Sequence, residues 1–479
     1  MKKILSLLVS AIMIGSITGC SDYLDIKPRG YDVPHKLSHY EGLLYGAELN
    51  SLWTYHYGTF EHTIDESGFS SFYINERYNA SKAFLWQADI FRADDQCPEW
   101  NTPCSRFYTY NVIVNEVMKA EDGTESQKMA VQAEARFMRA WFTYMMAQFF
   151  GKPYDPATSV TDLCVPIITE SSTVGTDFSR RTVKEVYEYI INEMTESLPY
   201  LPKRPAHSKR IFHAAGNAML GKVYWMMGNY NKALPYLESA KSILSSDNNK
   251  VFINLNEKID TESGDILDYP NLSLNPENVF EVLSMPNLFS ALAPMIYGVA
   301  HRTFRPDVIH KYFDASDYRL AFFSGVDSWM SAYASFDPQE RYYTNMTTMT
   351  ANEGITIPDI YLMYAECLAR VGELGKAKQV LYELRSNRMP VEQANVPSSV
   401  STKDDLVKFT VAERIRENFG TGITWYDMRR LWNDPLFQDM KQYYTRTDGT
   451  NTYTLTKERL TLRIPPSVMV WNPKYIQNE

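Results

Sequence analysis

The chain has 479 residues, of which 44% are hydrophobic and 22% are charged, a composition typical of a folded globular protein. Its formal net charge of -9, from 57 acidic and 48 basic residues, argues against DNA or RNA binding through an electropositive surface. Aromatic residues make up 14% of the chain, and 33 of them are tyrosines. Because tyrosine joins an apolar ring to a polar tip, this composition suits either a wet binding surface or a large helical core.

Residues 1–19 have the organisation of a bacterial secretory signal peptide. Two lysines come first, and the apolar stretch that follows them is too short to span a bilayer in the mature protein. Ile17-Thr18-Gly19 then precedes Cys20, an order similar to a lipobox. The sequence therefore predicts cleavage before Cys20 and an acyl anchor, such as palmitate, on that residue. An ordinary leader followed by a free cysteine is the alternative.

The four later cysteines show no metal-binding pattern. No Cys-x-x-Cys pair and no His/Cys spacing of a zinc site occurs among them. Cys97 and Cys104 lie beside two prolines, so a loop disulfide between them stays open, because spacing alone does not fix geometry. Cys367 lies in an apolar helical pattern, which predicts a buried side chain.

The amino-terminal half contains several predicted helices separated by irregular sequence. An amphipathic pattern predicts a helix over 35–53, and residues 54–100 are irregular and rich in Gly, Ser, Asn and aromatic residues. Small and aromatic residues recur every three or four positions within 127–150, which predicts one buried helical face that ends at Gly151 and Pro153. A further helix is predicted over 182–198.

Two segments follow the pattern of a tetratricopeptide helical hairpin. The first is Ala214–Leu244, with Leu220-Gly221, Tyr224 and Gly228, and the second is Tyr361–Leu384, offset by 144 residues. Small residues allow the two helices of a hairpin to approach closely, and the glycine in the connection ends the first helix. The fold class predicted is therefore mainly α, a tetratricopeptide-like scaffold of about four hairpins. Residues 246–356 interrupt it as a large insertion of loops and short strands.

A series of short motifs runs in order along nearly the whole chain. They are Cys20-Ser21-Asp22-Tyr23-Leu24-Asp25, Ala133–Trp141, Gly151-Lys152-Pro153, Arg181–Tyr187, Arg305-Pro306-Asp307, Asp317-Tyr318-Arg319, Tyr361–Glu366, Glu413-Arg414, Trp425–Arg430 and Ile464-Pro465. Together these motifs resemble the RagB/SusD family of outer-membrane nutrient-uptake lipoproteins. One departure is that Pro358-Asp359-Ile360 stands where the family often has an arginine before its Tyr-Leu-x-x-Ala-Glu helix.

The resemblance implies a signal peptide at 1–19 and one SusD-like domain at 20–479. Within it, helical repeats are expected at about 101–245 and 357–432, and irregular ligand-side regions at about 54–100 and 246–356. The resemblance further implies a lipid-anchored protein of the outer membrane that faces the cell exterior. Such a protein passes an oligosaccharide to a SusC-like TonB-dependent transporter, or, as RagB-like members do, captures peptides.

No sequence pattern indicates an enzyme, a cofactor or a metal site. Phosphate loops, nucleophile elbows and His-x-x-x-His pairs are absent from the sequence. With 57 acidic residues, a chance pair of carboxylates is no argument for glycoside hydrolysis. We expect the helical Glu134, Arg136, Glu366, Glu413 and Arg414 to pair charges between helices instead. Loop histidines such as His62 and His310 are expected to be solvated.

Two irregular stretches combine aromatic rings with polar side chains, the pattern that suits a sugar ring. An aromatic face packs on the C–H groups of the sugar, and amide, carboxylate or guanidinium groups bond its hydroxyls. Trp329 and Tyr333 are the strongest candidates because their spacing places them side by side. Tryptophans 86, 100, 141, 225, 425 and 432 are assigned to the core instead. The candidate ligand-binding residues are Phe72, Tyr73, Asn75, Arg77, Tyr78, Tyr297, Arg302, Trp329, Tyr333 and Tyr342.

Overall fold

The computed structural model is mainly helical, which confirms the predicted fold class. The residues that the structure describes are 33–46, 51–52, 60–64, 80–95, 97–172, 174, 176–247, 251–260, 275–284, 303–323, 342–343, 351–352, 354–447 and 450–479. Its helices are α1 (Leu37–Leu44), α2 (Ala80–Phe84), α3 (Pro98–Glu116), α4 (Glu125–Phe150), α5 (Val183–Ser197), α6 (His213–Met226), α7 (Tyr230–Leu244), α8 (Pro306–Tyr312), α9 (Ile357–Val371), α10 (Leu374–Arg385), α11 (Lys403–Glu417), α12 (Thr424–Arg430) and α13 (Pro466–Trp471).

Helices α3, α4 and α5 pack side by side in the amino-terminal half. Both α4 and α5 begin with a capping box, in which Thr124 and Thr182 accept from the third helical amide and a Gln or Glu side chain bonds back. Helix α4 ends at Phe150, immediately before Gly151, as the sequence predicts. Its carboxyl-terminal half is buried on all sides, so it forms the centre of this part of the core.

The two predicted hairpins are the pairs α6–α7 and α9–α10. Helix α9 also packs against α7 and α11, so the two hairpins are neighbours although an insertion separates them in sequence. A side chain at Gly221 would place a Cβ 2.8 Å from Leu237, and glycine therefore permits the close contact of α6 with α7. Gly228 and Gly372, which end the first helix of each hairpin, have φ angles of +72° and +94°.

The strands are short and lie between the helices of the scaffold. Strand β1 pairs in parallel with β3, which pairs antiparallel with β6, while β2 pairs with β7, β4 with β5, and β8 with β9. The strands are β1 (Ser51–Leu52), β2 (Asn278–Phe280), β3 (Leu283–Ser284), β4 (Thr303–Phe304), β5 (Tyr342–Tyr343), β6 (Ala351–Asn352), β7 (Ile355–Thr356), β8 (Thr445–Thr447) and β9 (Thr452–Thr454).

Several expectations about single segments need correction. Within the described part of 35–53, the expected helix comprises α1, and Ser51–Leu52 forms a strand because it pairs with β3. Trp432 is half-buried in the turn after α12, whereas the other five tryptophans assigned to the core are buried. Cys97 and Cys104 are free thiols at the start of α3, and Cys367 is buried as expected. Within the described ranges, no helix is long and apolar enough to cross a bilayer.

The left-handed turn at Gly372 gives a test of the hairpin. We expect Gly372→Ala to lower the free energy of unfolding by about 1–2 kcal/mol, because a Cβ is unfavourable at positive φ even where space is open. Gly375, near the start of α10, is equally open but has no positive φ. Gly375→Ala should therefore stabilise by about 0.5–1 kcal/mol. Urea unfolding of both variants measures the difference, and equal effects would refute the assignment.

Candidate ligand-binding region

Nine of the ten candidate ligand-binding residues lie outside the described residues. They are Phe72, Tyr73, Asn75, Arg77, Tyr78, Tyr297, Arg302, Trp329 and Tyr333. The backbone of Tyr342 belongs to β5, opposite Phe304 of β4, and Cys20 also lies outside the described residues. The structure therefore tests no candidate contact, but it describes the residues on either side of the candidates.

Described residues beside the candidates pair with each other in short strands. Residues 60–64 precede the first candidate stretch, and Ile64 forms a bridge with Phe304 of β4. The Arg305 amide donates to the Thr63 carbonyl at 3.0 Å. Phe304 in turn faces Tyr342 across the β4–β5 pair. The ends of both candidate stretches are therefore joined by backbone hydrogen bonds.

Four phenylalanines pack beneath these strands. Phe304 of β4 lies 5.2 Å from both Phe323 and Phe419, between ring centroids, and Phe313 lies 5.3 Å from Phe419. Edge and tilted contacts at these distances are favourable aromatic geometry. Phe323 is the last described residue before the segment that contains Trp329 and Tyr333, and Phe419 follows α11. The cluster thus fixes one end of that segment to the helical scaffold.

A buried ion-pair network joins the insertion to α11. Arg319 of the insertion contacts Asp317 at 2.7 Å, Glu413 at 2.5 Å and Glu417 at 2.8 Å. Arg388, just after α10, links Glu417 at 2.6 Å to Glu277 before β2 at 2.7 Å. Removing a single partner from such a network leaves a buried charge uncompensated, so the insertion and the scaffold stabilise each other.

His62 is a buried residue, contrary to the expectation of a solvated loop histidine. Its side chain is 1% exposed and lies among the rings of Tyr312, Tyr443 and Tyr444. Burial lowers its pKa to about 3, with help from the charge of Arg305. His62 is therefore neutral at physiological pH and acts as an aromatic packing residue. His310 is exposed, as expected.

The helical charges are paired, between helices for Arg136, Glu366 and Arg414 as the sequence predicts, whereas Glu134 pairs with Arg210 in the loop before α6. Glu134 of α4 bonds Arg210 through two contacts of 2.7 Å, and Arg136 contacts Glu193 of α5 at 2.6 Å. Arg414 of α11 lies 2.8 Å from Asp359 of α9.

Glu366 lies at a joint between α6, α9 and α12. It accepts from the Trp225 indole at 3.0 Å and contacts Arg430 at 2.8 Å. Burial alone raises the pKa of Glu366, but the charges of Arg430 and Arg370 outweigh this effect and lower it. An acid held ionised in this way cannot supply the proton that a glycosidase needs.

Sequence reasoning missed Arg446 of β8 as a residue of this region. Its guanidinium is 3% exposed and lies 4.1 Å from the ring centroid of Phe84 and 4.0 Å from that of Trp86. It donates to the Phe84 and Glu61 carbonyls. The only local signal was an arginine among threonines in a short strand. No group of metal-ligating side chains occurs among the described residues.

A scaffold of packed helical hairpins, interrupted by one large insertion that contains short strands, defines a class of helical-repeat proteins. Two family profiles match this chain, one described as SusD-like, "Starch-binding associating with outer membrane", over residues 22–225, and the SusD family over residues 330–479. The chain belongs to the SusD/RagB family.

Similar proteins agree with this assignment. SusD-like protein P2 of Formosa agariphila is 23% identical over 352 residues, which cover 64% of this chain and 66% of that protein. A putative sugar binding protein of Bacteroides vulgatus superposes with a TM-score of 0.68 at 20% identity, covering 94% of this chain and 99% of the other. Surface glycan-binding protein A of Bacteroides uniformis gives 0.67 at 16% identity, covering 92% and 99%. These structures share the fold.

The ion pairs of Glu413 predict how stability depends on pH. Burial alone raises the pKa of Glu413, but the charges of Arg319, Arg416 and Arg385 hold it well below its usual value. A lowered folded pKa contributes stability above the unfolded value of about 4.3, and this contribution is lost as the pH falls through the folded pKa. We therefore expect Glu413→Gln to cost about 3–5 kcal/mol at pH 7 and less in acid.

Urea unfolding at pH 7 and pH 3.5 measures this effect. Glu373→Gln is the matched control, because Glu373 is 52% exposed and pairs only at the surface with Lys376. It should change the free energy of unfolding by less than about 0.5 kcal/mol. A Glu413→Gln chain as stable as the parent at pH 7 would contradict the role of the network.

Proposed function

We propose that the protein is a lipid-anchored outer-membrane protein that captures an oligosaccharide on the cell exterior and delivers it to a SusC-like TonB-dependent transporter. The observation that carries the proposal is that described residues beside both groups of candidate residues are paired with each other. The Ile64–Phe304 bridge and the β4–β5 pair make this connection. Family membership supports it, and so do the names of two proteins with the same fold, a putative sugar binding protein and a surface glycan-binding protein.

The arrangement suits capture without covalent change. The helical scaffold is stabilised by buried pairs such as Glu366–Arg430, and its ionised acids are committed to arginines. The candidate aromatic residues occur in the irregular stretches of sequence between the scaffold helices. A sugar can stack on such a ring, while neighbouring Asn and Arg side chains bond its hydroxyls. The proposed ligand contacts are those named from the sequence, chiefly Trp329 and Tyr333.

Substitution of Trp329 and Tyr333 tests the ligand site. We expect Trp329→Ala and Tyr333→Ala each to weaken oligosaccharide binding about tenfold, because a lost stacking contact is worth about 1–1.5 kcal/mol. Isothermal titration of the soluble form, begun after Cys20, against a glycan panel measures this. Trp471→Ala is the control, since Trp471 is 85% exposed on α13 and lies outside the candidate stretches.

Three results would overturn parts of the proposal, two from this titration and one from incubation with the same glycans. Binding to a peptide pool and to no glycan would replace the cargo with peptides. New reducing ends after incubation with the glycans would indicate a hydrolase. Unchanged affinity in both aromatic variants, with binding intact, would move the site elsewhere.

Cys20 tests the proposed anchor. We expect the full-length chain, expressed in a bacterium that processes lipoproteins, to sediment with outer membranes and to carry acyl chains on residue 20 in an intact-mass measurement. Cys20→Ser should leave the membrane fraction, because no acyl chain then holds it there. Ser21→Ala, which keeps the cysteine, should stay with the membrane. A parent chain whose mature amino terminus carries no lipid would refute the anchor.

A further inference from the structure

Residues 65–79, which contain the candidates Phe72, Tyr73, Asn75, Arg77 and Tyr78, are flanked by two described segments that contact each other. We define these flanks, 60–64 and 80–86, as the first neck. The Trp86 indole N–H donates to the Phe60 carbonyl at 2.9 Å across the neck. All residues of 60–64 and of 83–86 are buried. The two described flanks of residues 65–79 are therefore held against each other through Phe60 and Trp86.

The first neck contains an unfavourable backbone conformation. Trp86 has a φ of +51° and is the one described non-glycine residue with positive φ. It ends α2 in the position that glycine usually takes, since the Trp86 amide donates to Ala83 and the Gln87 amide to Lys82. A tryptophan at this position costs backbone energy, and contacts of its side chain must offset that cost.

Arg446 of β8 completes the first neck. Its guanidinium contacts the Trp86 and Phe84 rings and donates to one carbonyl on each side of the neck, Glu61 on one flank and Phe84 on the other. The Phe84 carbonyl belongs to the last turn of α2. One buried cation therefore joins the neck to the hairpin β8–β9.

The residues just before β8 reach the flanks of the other candidate residues. We define β4, β5 and Arg305 as the second neck: β4 and Arg305 follow the segment 285–302, which contains Tyr297 and Arg302, and β5 follows the segment 324–341, which contains Trp329 and Tyr333. The Arg305 guanidinium donates to the Tyr443 carbonyl at 2.9 Å, three residues before Arg446. Its amide donates to Thr63 in the first neck. Residues 443–446 thus contact both necks.

We propose that residues 443–446 position the residues beside both groups of candidate ligand contacts, with Arg446 as the positioning residue, so that the first neck and the second neck are held in one fixed relation. Arg446 does not contact ligand in this account. It acts by fixing the two necks on either side of the candidate residues, and it thereby reduces the entropy lost on binding. The inference rests on the proposed function for its effect on affinity, but its structural content can be tested without ligand.

Arginine is required because one planar group must serve two carbonyls and two rings. A lysine keeps the charge but offers a single ammonium, which cannot bridge both flanks while stacking. Arg446→Lys is therefore the sharpest variant. Arg139→Lys on α4 is its matched control, because Arg139 is also buried and bonds Asn111 at 2.8 Å and Glu193 at 2.6 Å, contacts within α3–α5.

Hydrogen–deuterium exchange of the soluble form is the first measurement. In Arg446→Lys we expect exchange to rise at least fivefold in the first neck, and also at the Arg305 amide in the second neck, while α4 and α9 keep the parent protection. Arg139→Lys should raise exchange only around α3–α5. Unchanged exchange at both necks in Arg446→Lys would overturn the proposal, and so would a rise confined to the first neck.

Glycan affinity is the second measurement. Arg446→Lys should weaken binding about tenfold, and Arg139→Lys should leave it within twofold even if both lose similar thermal stability. Equal affinity of Arg446→Lys and the parent would refute positioning, whatever the exchange shows. If the parent binds no glycan, the proposed function fails, and the exchange experiment still decides whether residues 443–446 join the necks.

Discussion

A joint of buried charges around one tryptophan holds the helical scaffold together. Trp225 of α6 donates to Glu366 of α9, and the Arg430 guanidinium of α12 lies 3.7 Å from the Trp225 ring centroid. Arg414 of α11 stacks on the same ring at 4.9 Å. Because none of these groups reaches water, each charge depends on the position of its partner. Four helices are therefore fixed by a contact that tolerates little displacement.

The joint also accounts for the one departure from the family pattern. Asp359 stands in the segment where the family often has an arginine, and it lies 2.8 Å from Arg414, which also contacts Asp427 at 3.0 Å. Burial alone raises the pKa of Asp359, but the charges of Arg414 and Lys222 hold it lowered. An arginine at position 359 would face Arg414 directly. The departure is thus matched by the local charge pattern and does not disturb the fold.

The scaffold could be predicted from the sequence because its determinants are local. Helix periodicity, the capping boxes at Thr124 and Thr182, and the glycines that end α6 and α9 all act within a few residues. The sequence predicts that the buried acids pair with basic residues, but not which residue pairs with which. That Glu413 meets Arg319 depends on a contact between residues far apart in sequence, and no local pattern contains it.

The candidate region was less predictable for the same reason. Short strands such as β1 and β4 carry almost no periodic signal, since two residues cannot show alternation, and their pairing is set by what lies beside them. The sequence around His62 predicts a solvated loop histidine, but the rings of Tyr312 and Tyr444 lie beside it in the structure. Arg446 reads as a surface strand residue until its two carbonyl partners are known. In each case, burial by distant segments decides the role.

This division between local and distant determinants explains how relatives with 15–20% identity share the fold. A helical hairpin needs small residues at its close contacts and a glycine at its turn, and many sequences meet those requirements. Loop segments in general tolerate sequence change more readily than packed helices. At the necks stand two arginines, of which Arg446 is buried and Arg305 is partly buried. Arg446 and Arg305 bond backbone carbonyls, and carbonyls stay in place whichever side chains the segments carry.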